Sequence, residues 1–277
     1  MSRAPAGHGD DPSSMREGFE DDLDLALSAA REAGELARRF FGTDMEVEFK
    51  SPDQPVTRAD REVDALLRER LLTARPSYGW LSEETADDHE RLGCDRVWIM
   101  DPIDGTSSFV EGIPDFVVSI GLADRGVPCV GVVHDPMQDV TYWGARGRGA
   151  FREGDPVRIS GRTAGGEGDE PRLLISRSMR QDSLRRRFPG WRYRAFGSTA
   201  NKLVRVAAGE AEGYLTRGER AEWDLCAASV VLGEAGGVIS ALDGSPLGFN
   251  RPDPRVQGVV AGTPKGYRRL RAQLADA

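Results

Sequence analysis

The run RVWIMDPIDGTSSF, residues 96–109, constrains this chain more than any other stretch. Val97, Trp98, Ile99 and Met100 predict a buried strand that ends on Asp101, with Asp104 three residues further on. Pro102 fixes the backbone between them. Two carboxylates so close repel each other unless one keeps a proton or a cation sits between them. Gly105-Thr106 then opens a helix-like turn, and free amides at such a turn suit an anion, phosphate above all. The Ile103 carbonyl can point the same way as the carboxylates. One short segment thus offers hard oxygen ligands beside anion donors, the pairing that metal-assisted phosphoryl chemistry needs.

Other acids can join the pair. Glu83 and Glu84 end the preceding strand, Asp224 opens a helix after Trp223, and Asp60 sits early in another helix. Several carboxylates with few counter-cations suit Mg²⁺, which prefers oxygen ligands. Each also has an ordinary reading: Asp224 as a helix cap, Ser-Glu-Glu as a solvated strand end, Asp-Pro as a turn. GARGRG (144–149) reads as a hairpin turn, because no helix follows to make it a dinucleotide loop. The Asp-x-Asp pattern of another phosphatase class is missing, since Pro102 stands where it needs an aspartate. Only three histidines occur, and His8 lies near the N-terminus, so a histidine triad or zinc site fits poorly.

The 277 residues allow one large domain or two modest ones sharing a core. Residues 1–18 read as a polar tail without the apolar segment of a secretory signal. No apolar run approaches the roughly 18 residues of a membrane span. A net charge of −8 argues against polymeric nucleic acid or an anionic membrane as partner. Cys94, Cys129 and Cys226 form no CxxC pair, which fits a reduced cytoplasm.

Apolar spacing predicts a helix over 20–41, a strand over 45–51, a break at SPDQP and a second helix capped by Thr57. Strands follow at 78–84 and 96–102, then an antiparallel meander from 115 to about 151. A surface loop at 160–171 separates a further strand at RLLISRS and helices at 180–188, 198–210, 222–237 and 264–277, with strands GYLT, VISAL and GVVAG among them. The chain divides into an N-terminal metal- and phosphate-binding part, 19–160, and a C-terminal substrate part, 171–277, that adds one metal ligand at a shared cleft.

Taken together, LSEET, WIMDPIDGTSSF and EWDLCAASVVLGEAGG resemble, in order, the three signature segments of the inositol monophosphatase superfamily. FKSPDQPVTRAD is similar to the stretch that precedes them. The resemblance spans about residues 20–275 and implies a mixed α/β fold of alternating α-β-α-β-α layers, like fructose-1,6-bisphosphatase. It implies a lithium-sensitive, Mg²⁺-dependent phosphatase of a small-molecule phosphate ester, and a homodimer is common among such proteins. Glu83, Asp101, the Ile103 carbonyl, Asp104 and Asp224 would hold two or three Mg²⁺. The Gly105 and Thr106 amides would hold the phosphate, while Thr106 and Asp60 position and deprotonate the attacking water, with Glu83 beside them.

The ester is less plain. LLISRS and the run from Gly197 to Asp224 resemble the 3′(2′),5′-bisphosphate nucleotidase branch, so the first expectation is hydrolysis of 3′-phosphoadenosine 5′-phosphate to AMP. Ser107, where that branch carries Lys or Arg, and FVEGIPDFVVSIGLADRG point instead toward inositol-1-phosphate or histidinol phosphate. A doubly phosphorylated substrate needs extra cations, for which Arg177, Lys202, Arg217 and Arg220 are the candidates, with Ser107 near the phosphate. A non-catalytic metal- or ligand-binding relative is the alternative of another class; every expected ligand residue is present.

Overall fold

The computed structural model describes residues 19–43, 47–51, 54–159 and 170–275, so the expected tail 1–18 and most of the loop 160–171 lie outside the described residues. Helix α1 (Glu20–Phe40) buries Ala26, Ala29, Ala30, Ala33 and Ala37 on one stripe. Such small side chains let a helix lie close to its neighbour. The expected break at SPDQP is instead partly a strand: β1 (Val47–Ser51) and β2 (Gln54–Thr57) form an antiparallel hairpin. Pro55 is tolerated there because this two-stranded sheet is all edge.

Helix α2 (Arg58–Ala74) starts as Thr57 predicts. Thr57 Oγ1 accepts the Ala59 N–H at 3.1 Å, and Asp60 Oδ2 accepts the Thr57 N–H at 2.8 Å, which satisfies two donors that the first turn leaves open. Next come β3 (Gly79–Ser82), a 3-10 turn at Glu90–Gly93, β4 (Arg96–Asp104), the short α3 (Thr106–Val110), β5 (Val117–Asp124), β6 (Val127–Asp135), β7 (Val140–Ala145), β8 (Gly149–Arg152) and β9 (Asp155–Val157). These seven strands lie in chain order in one sheet, antiparallel except for the β3–β4 pair.

The second half opens with β10 (Arg172–Ser176), α4 (Gln181–Arg187), β11 (Arg192–Phe196), α5 (Thr199–Ala207), β12 (Gly213–Ala221), α6 (Glu222–Glu234), β13 (Val238–Ala241), β14 (Arg255–Gly262) and α7 (Pro264–Ala275). Its strands form a five-stranded sheet in the order β11-β10-β12-β14-β13. The charged, half-exposed RYRAF of β11 gives no apolar signal, which is why sequence alone misses this edge strand.

Period-two alternation along β4 assigns the two faces of the larger sheet. Trp98 and Met100 pack with α1 and α2, while Val97 and Ile99 pack toward α6. Helices α5 and α6 fill the space between the sheets, and α4 and α7 cover the far side through Leu184 and Leu270, joined by Trp191 just before β11. The result is five alternating layers of helix and strand. No helix among the described residues is long and apolar enough to cross a membrane.

Candidate active site

Asp101 continues the odd-numbered face of β4, so it points to α6. Unbroken alternation would send Asp104 to the opposite face. Between the pairs Asp101–Ser119 and Asp104–Val117, however, β4 holds one residue more than β5. This bulge reverses the parity, and both aspartates reach the same side. Pro102, which has no N–H to give a ladder, falls inside it.

Asp224 arrives from the other half on α6. That helix rests on Gly121, Gly131 and Gly144, direct partners across three adjacent strands. A Cβ at Gly121 would stand 2.6 Å from the Cys226 sulfur, and one at Gly144 would stand 3.2 Å from the Val231 Cα. One at Gly131 would run into the Ala227 carbonyl. The helix therefore sits on bare backbone, and its first turn reaches the end of β4. Asp224 Oδ2 accepts the Ala221 N–H at 2.9 Å, so the ordinary capping role and the place in the site coexist.

Glu83 follows β3 and is held by its neighbours. Asp64 of α2 accepts hydrogen bonds from the hydroxyls of Ser82 and of Thr85, the latter at 2.7 Å. Sequence reading passed over Asp64; its spacing of four from Asp60, on one helix face, was the available signal.

One oxygen each of Glu83, Asp101 and Asp224 lies within 4.8 Å of the others. Burial foremost, then the charges of Glu83, Asp104 and Asp224, hold the Asp101 carboxyl well above its usual range. Burial, then Asp104 and Glu83, push Asp224 up to about 7 against the pull of Arg220. Three clustered carboxyls, two of them pushed toward the protonated form, make a set that a hard divalent cation relieves, and it fits such an ion.

Asp104 faces this cluster but is already engaged. Its Oδ2 accepts the Ser198 hydroxyl at 2.7 Å and the Ala200 N–H at 2.6 Å, and its Oδ1 accepts the Thr199 N–H at 3.1 Å. Three of roughly four acceptor directions are used, which leaves one for another ligand. Thr106 Oγ1 lies 3.0 Å from both Asp60 Oδ1 and the Ile103 carbonyl. A hydroxyl has one proton, so it can donate to only one of them at a time, and its own oxygen stays able to accept. Asp60 is buried, and burial raises its pKa against the hydrogen bonds from Thr57 and Thr106. Gly105 adopts φ 111°, a left-handed conformation that suits glycine, and its backbone crowds Asp115 and Ser198 too closely for a side chain.

Asp104, Gly105 and Asp224 border an open cleft of about 1070 Å³ between the two halves, whereas Glu83 lines a neighbouring hollow beside Trp223 and Pro254. Gly105, Ser107, Arg177, Lys202, Arg220 and Asp224 all line the cleft, whereas Arg217 is exposed on β12 and does not. Among the described residues, the cleft's three basic side chains are largely spoken for. Arg177 lies 3.6 Å from Glu111 and 3.9 Å from Asp115. The buried Lys202 ammonium donates to the carbonyls of Phe196, at 3.2 Å, and of Gly197, and burial pushes its pKa down to about 7 against the pull of Asp104. Arg220 donates to the Glu219 carbonyl at 2.5 Å and the Ser176 hydroxyl at 3.4 Å. Its buried Nε has no protein partner among the described residues.

Residues 20–277 match the model of the inositol monophosphatase family. The chain belongs to the inositol monophosphatase family. By that membership it is a phosphoric monoester hydrolase. It is 39% identical over 234 residues to a histidinol-phosphatase of Mycobacterium tuberculosis, covering 81% of this chain and 88% of that one. It is 34% identical to inositol monophosphatase 1 of Solanum lycopersicum, with 82% and 86% covered. Among solved structures it is similar to the extragenic suppressor protein suhB from Bartonella henselae, with a TM-score of 0.79, 27% identity, and 92% and 98% of the two chains covered. That likeness extends to the layered α/β architecture.

Proposed function

We propose that this family member hydrolyses a small alcohol carrying a single phosphate, of the class of inositol-1-phosphate and histidinol phosphate. The observation that carries the reading is the engagement of Arg177, Lys202 and Arg220 by groups of the protein itself. A second phosphate buried in the cleft needs its own charged partners, and removing such charges from water without them costs several kcal/mol or more. Arg220 alone, whose Nε is a buried nitrogen without a protein partner among the described residues, does not supply them. The similarity to proteins named inositol monophosphatase and histidinol-phosphatase agrees. The likeness of RLLISRS and the Lys202 helix to nucleotidases then reflects shared scaffold rather than shared substrate.

Glu83, Asp101, the Ile103 carbonyl, Asp104 and Asp224 would hold Mg²⁺. When bound, it supplies Lewis-acid polarisation of the phosphoryl oxygens and acidifies water. The chain's own residues do the rest. The Gly105 and Thr106 amides receive the phosphate at the first turn of α3. Thr106 Oγ1 accepts from the attacking water while passing its own proton toward Asp60. A carboxylate whose pKa is raised by burial is better able to take that proton near neutral pH.

The test is kcat/KM on inositol-1-phosphate, histidinol phosphate, 3′-phosphoadenosine 5′-phosphate and fructose-1,6-bisphosphate, with Mg²⁺ and with EDTA. One of the first two is expected to lead by at least tenfold, with phosphate release lost in EDTA. Preference for the nucleotide bisphosphate would overturn the assignment.

A further inference from the structure

Beside the acidic trio lies a second set of charges, built on the buried Glu222 and Arg91. Glu222 opens α6 two residues before Asp224, so the two side chains leave the helix on opposite sides. Glu222 is fully buried. Its Oε2 accepts the Asn250 N–H at 2.6 Å, and its Oε1 accepts the Arg251 N–H at 3.0 Å and the Arg251 Nε–H at 3.2 Å. Asn250 passes the connection on. Its Oδ1 accepts from Arg91 Nη1 at 2.7 Å, and its Nδ2 donates to the Arg91 carbonyl at 3.1 Å. Arg91, 2% exposed, then grips Asp87 through Nε at 3.0 Å and Nη2 at 2.6 Å, and donates to the Arg251 carbonyl at 3.0 Å. Asp87 stands four residues after Glu83.

A continuous chain of charge-assisted bonds therefore runs from the start of α6, through the loop before β14, to the segment that follows Glu83. It has Asp224 near one end and Glu83 near the other, and no member of it belongs to the trio. Asn250 adopts a positive φ of 55°, a conformation that its bonds on both sides hold in place. On its other flank the Glu83 segment is held by Asp64 through Ser82 and Thr85. These bonds tie the segment after Glu83 to the start of α6, beside the contacts that Glu83 and Asp224 make themselves.

We infer that Arg91, Asn250 and Glu222 are positioning residues: a buried brace that holds Glu83 and Asp224 at the spacing a divalent cation requires, and so sets affinity for the ion. The inference rests on the reading that the trio binds Mg²⁺. Groups that orient metal ligands without touching the metal typically change affinity by about 10–100-fold when removed.

The test measures Mg²⁺ binding by titration calorimetry without substrate, on the full chain. Arg91→Met and Glu222→Gln should each weaken binding about tenfold or more, and the double variant should lose less than the product, because both cut one chain of bonds. Glu222→Gln is nearly isosteric and carries the test if Arg91→Met does not fold. Asp22→Asn is the control: Asp22 is equally buried, and it binds Arg75 at 2.6 Å and the Tyr78 hydroxyl at 3.0 Å in the α1–α2 layer. It should lower Tm without moving Mg²⁺ affinity. Mg²⁺ affinities of the brace variants within twofold of the parent, with Tm lowered as in the control, would overturn the brace alone. No Mg²⁺ binding by the parent would overturn the metal reading with it.

Discussion

At the scale of single residues, Asp224 joins acid–base chemistry to stability. Its folded pKa is about 7, against an ordinary value of 3.8. The folded state therefore keeps a proton that the unfolded chain releases. The associated stability is fully present below the ordinary aspartate range and is lost as pH rises through about 7. Asp101 shifts in the same direction. Lys202 works the other way: its folded pKa lies near 7, below its usual 10.5, so its contribution is lost as pH falls through 7. A raw pH profile mixes the two, and a variant separates them. In EDTA, the Tm of Asp224→Asn should fall less than that of the parent between about pH 5.5 and about pH 8. Saturating Mg²⁺ should raise the parent's Tm most at the alkaline end, where its ligands are already deprotonated. Scanning calorimetry checks both, and parallel profiles for parent and variant would contradict the shift.

Among elements, α6 depends most on what the sheet lacks. Its seat on Gly121, Gly131 and Gly144 leaves no room at Gly131 for even a methyl group beside the Ala227 carbonyl. Gly131→Ala should destabilise the fold by about 1–3 kcal/mol, the usual range for overpacking. It should also weaken Mg²⁺ binding, because the helix carries Asp224 with it. Gly147→Ala, a turn glycine with nothing within 4 Å of its would-be Cβ, should not affect the metal. Urea denaturation and calorimetry read the two effects. The helices were legible from apolar spacing and from Thr57, and β3–β7 from their apolar runs. The bulge at Pro102 was not, because a one-residue slip in pairing leaves no mark on one strand read alone. Nor was the attachment of Asp104 to the start of α5, since the residues involved are 94 or more positions apart. The acids of the site could be picked out by their motifs and Asp64 by its spacing from Asp60, whereas Glu222 and Arg91 could not, because each looks like any helix or turn charge until its partner is placed.

Across the whole molecule, the two sheets share one interior. A single apolar core runs from Leu81 and Ile99 through Leu203 and Val231 to Val259. The N-terminal sheet thus lends a face to helices that the C-terminal half supplies, and neither half can bury its apolar surface alone. Single-tryptophan variants that keep Trp98 in the larger sheet or Trp191 in the outer layer should report the same urea midpoint. Separate midpoints would show two independently folding units. The hydrogen bonds of Asp104 tie the halves together more locally. This carboxylate holds the first amides of α5 and also faces the cleft, so any occupant that draws its charge away loosens its grip on that helix. A cation arriving in the pocket should therefore speed the exchange of the Thr199 and Ala200 amide hydrogens with solvent, a local clock that the protein carries without any label.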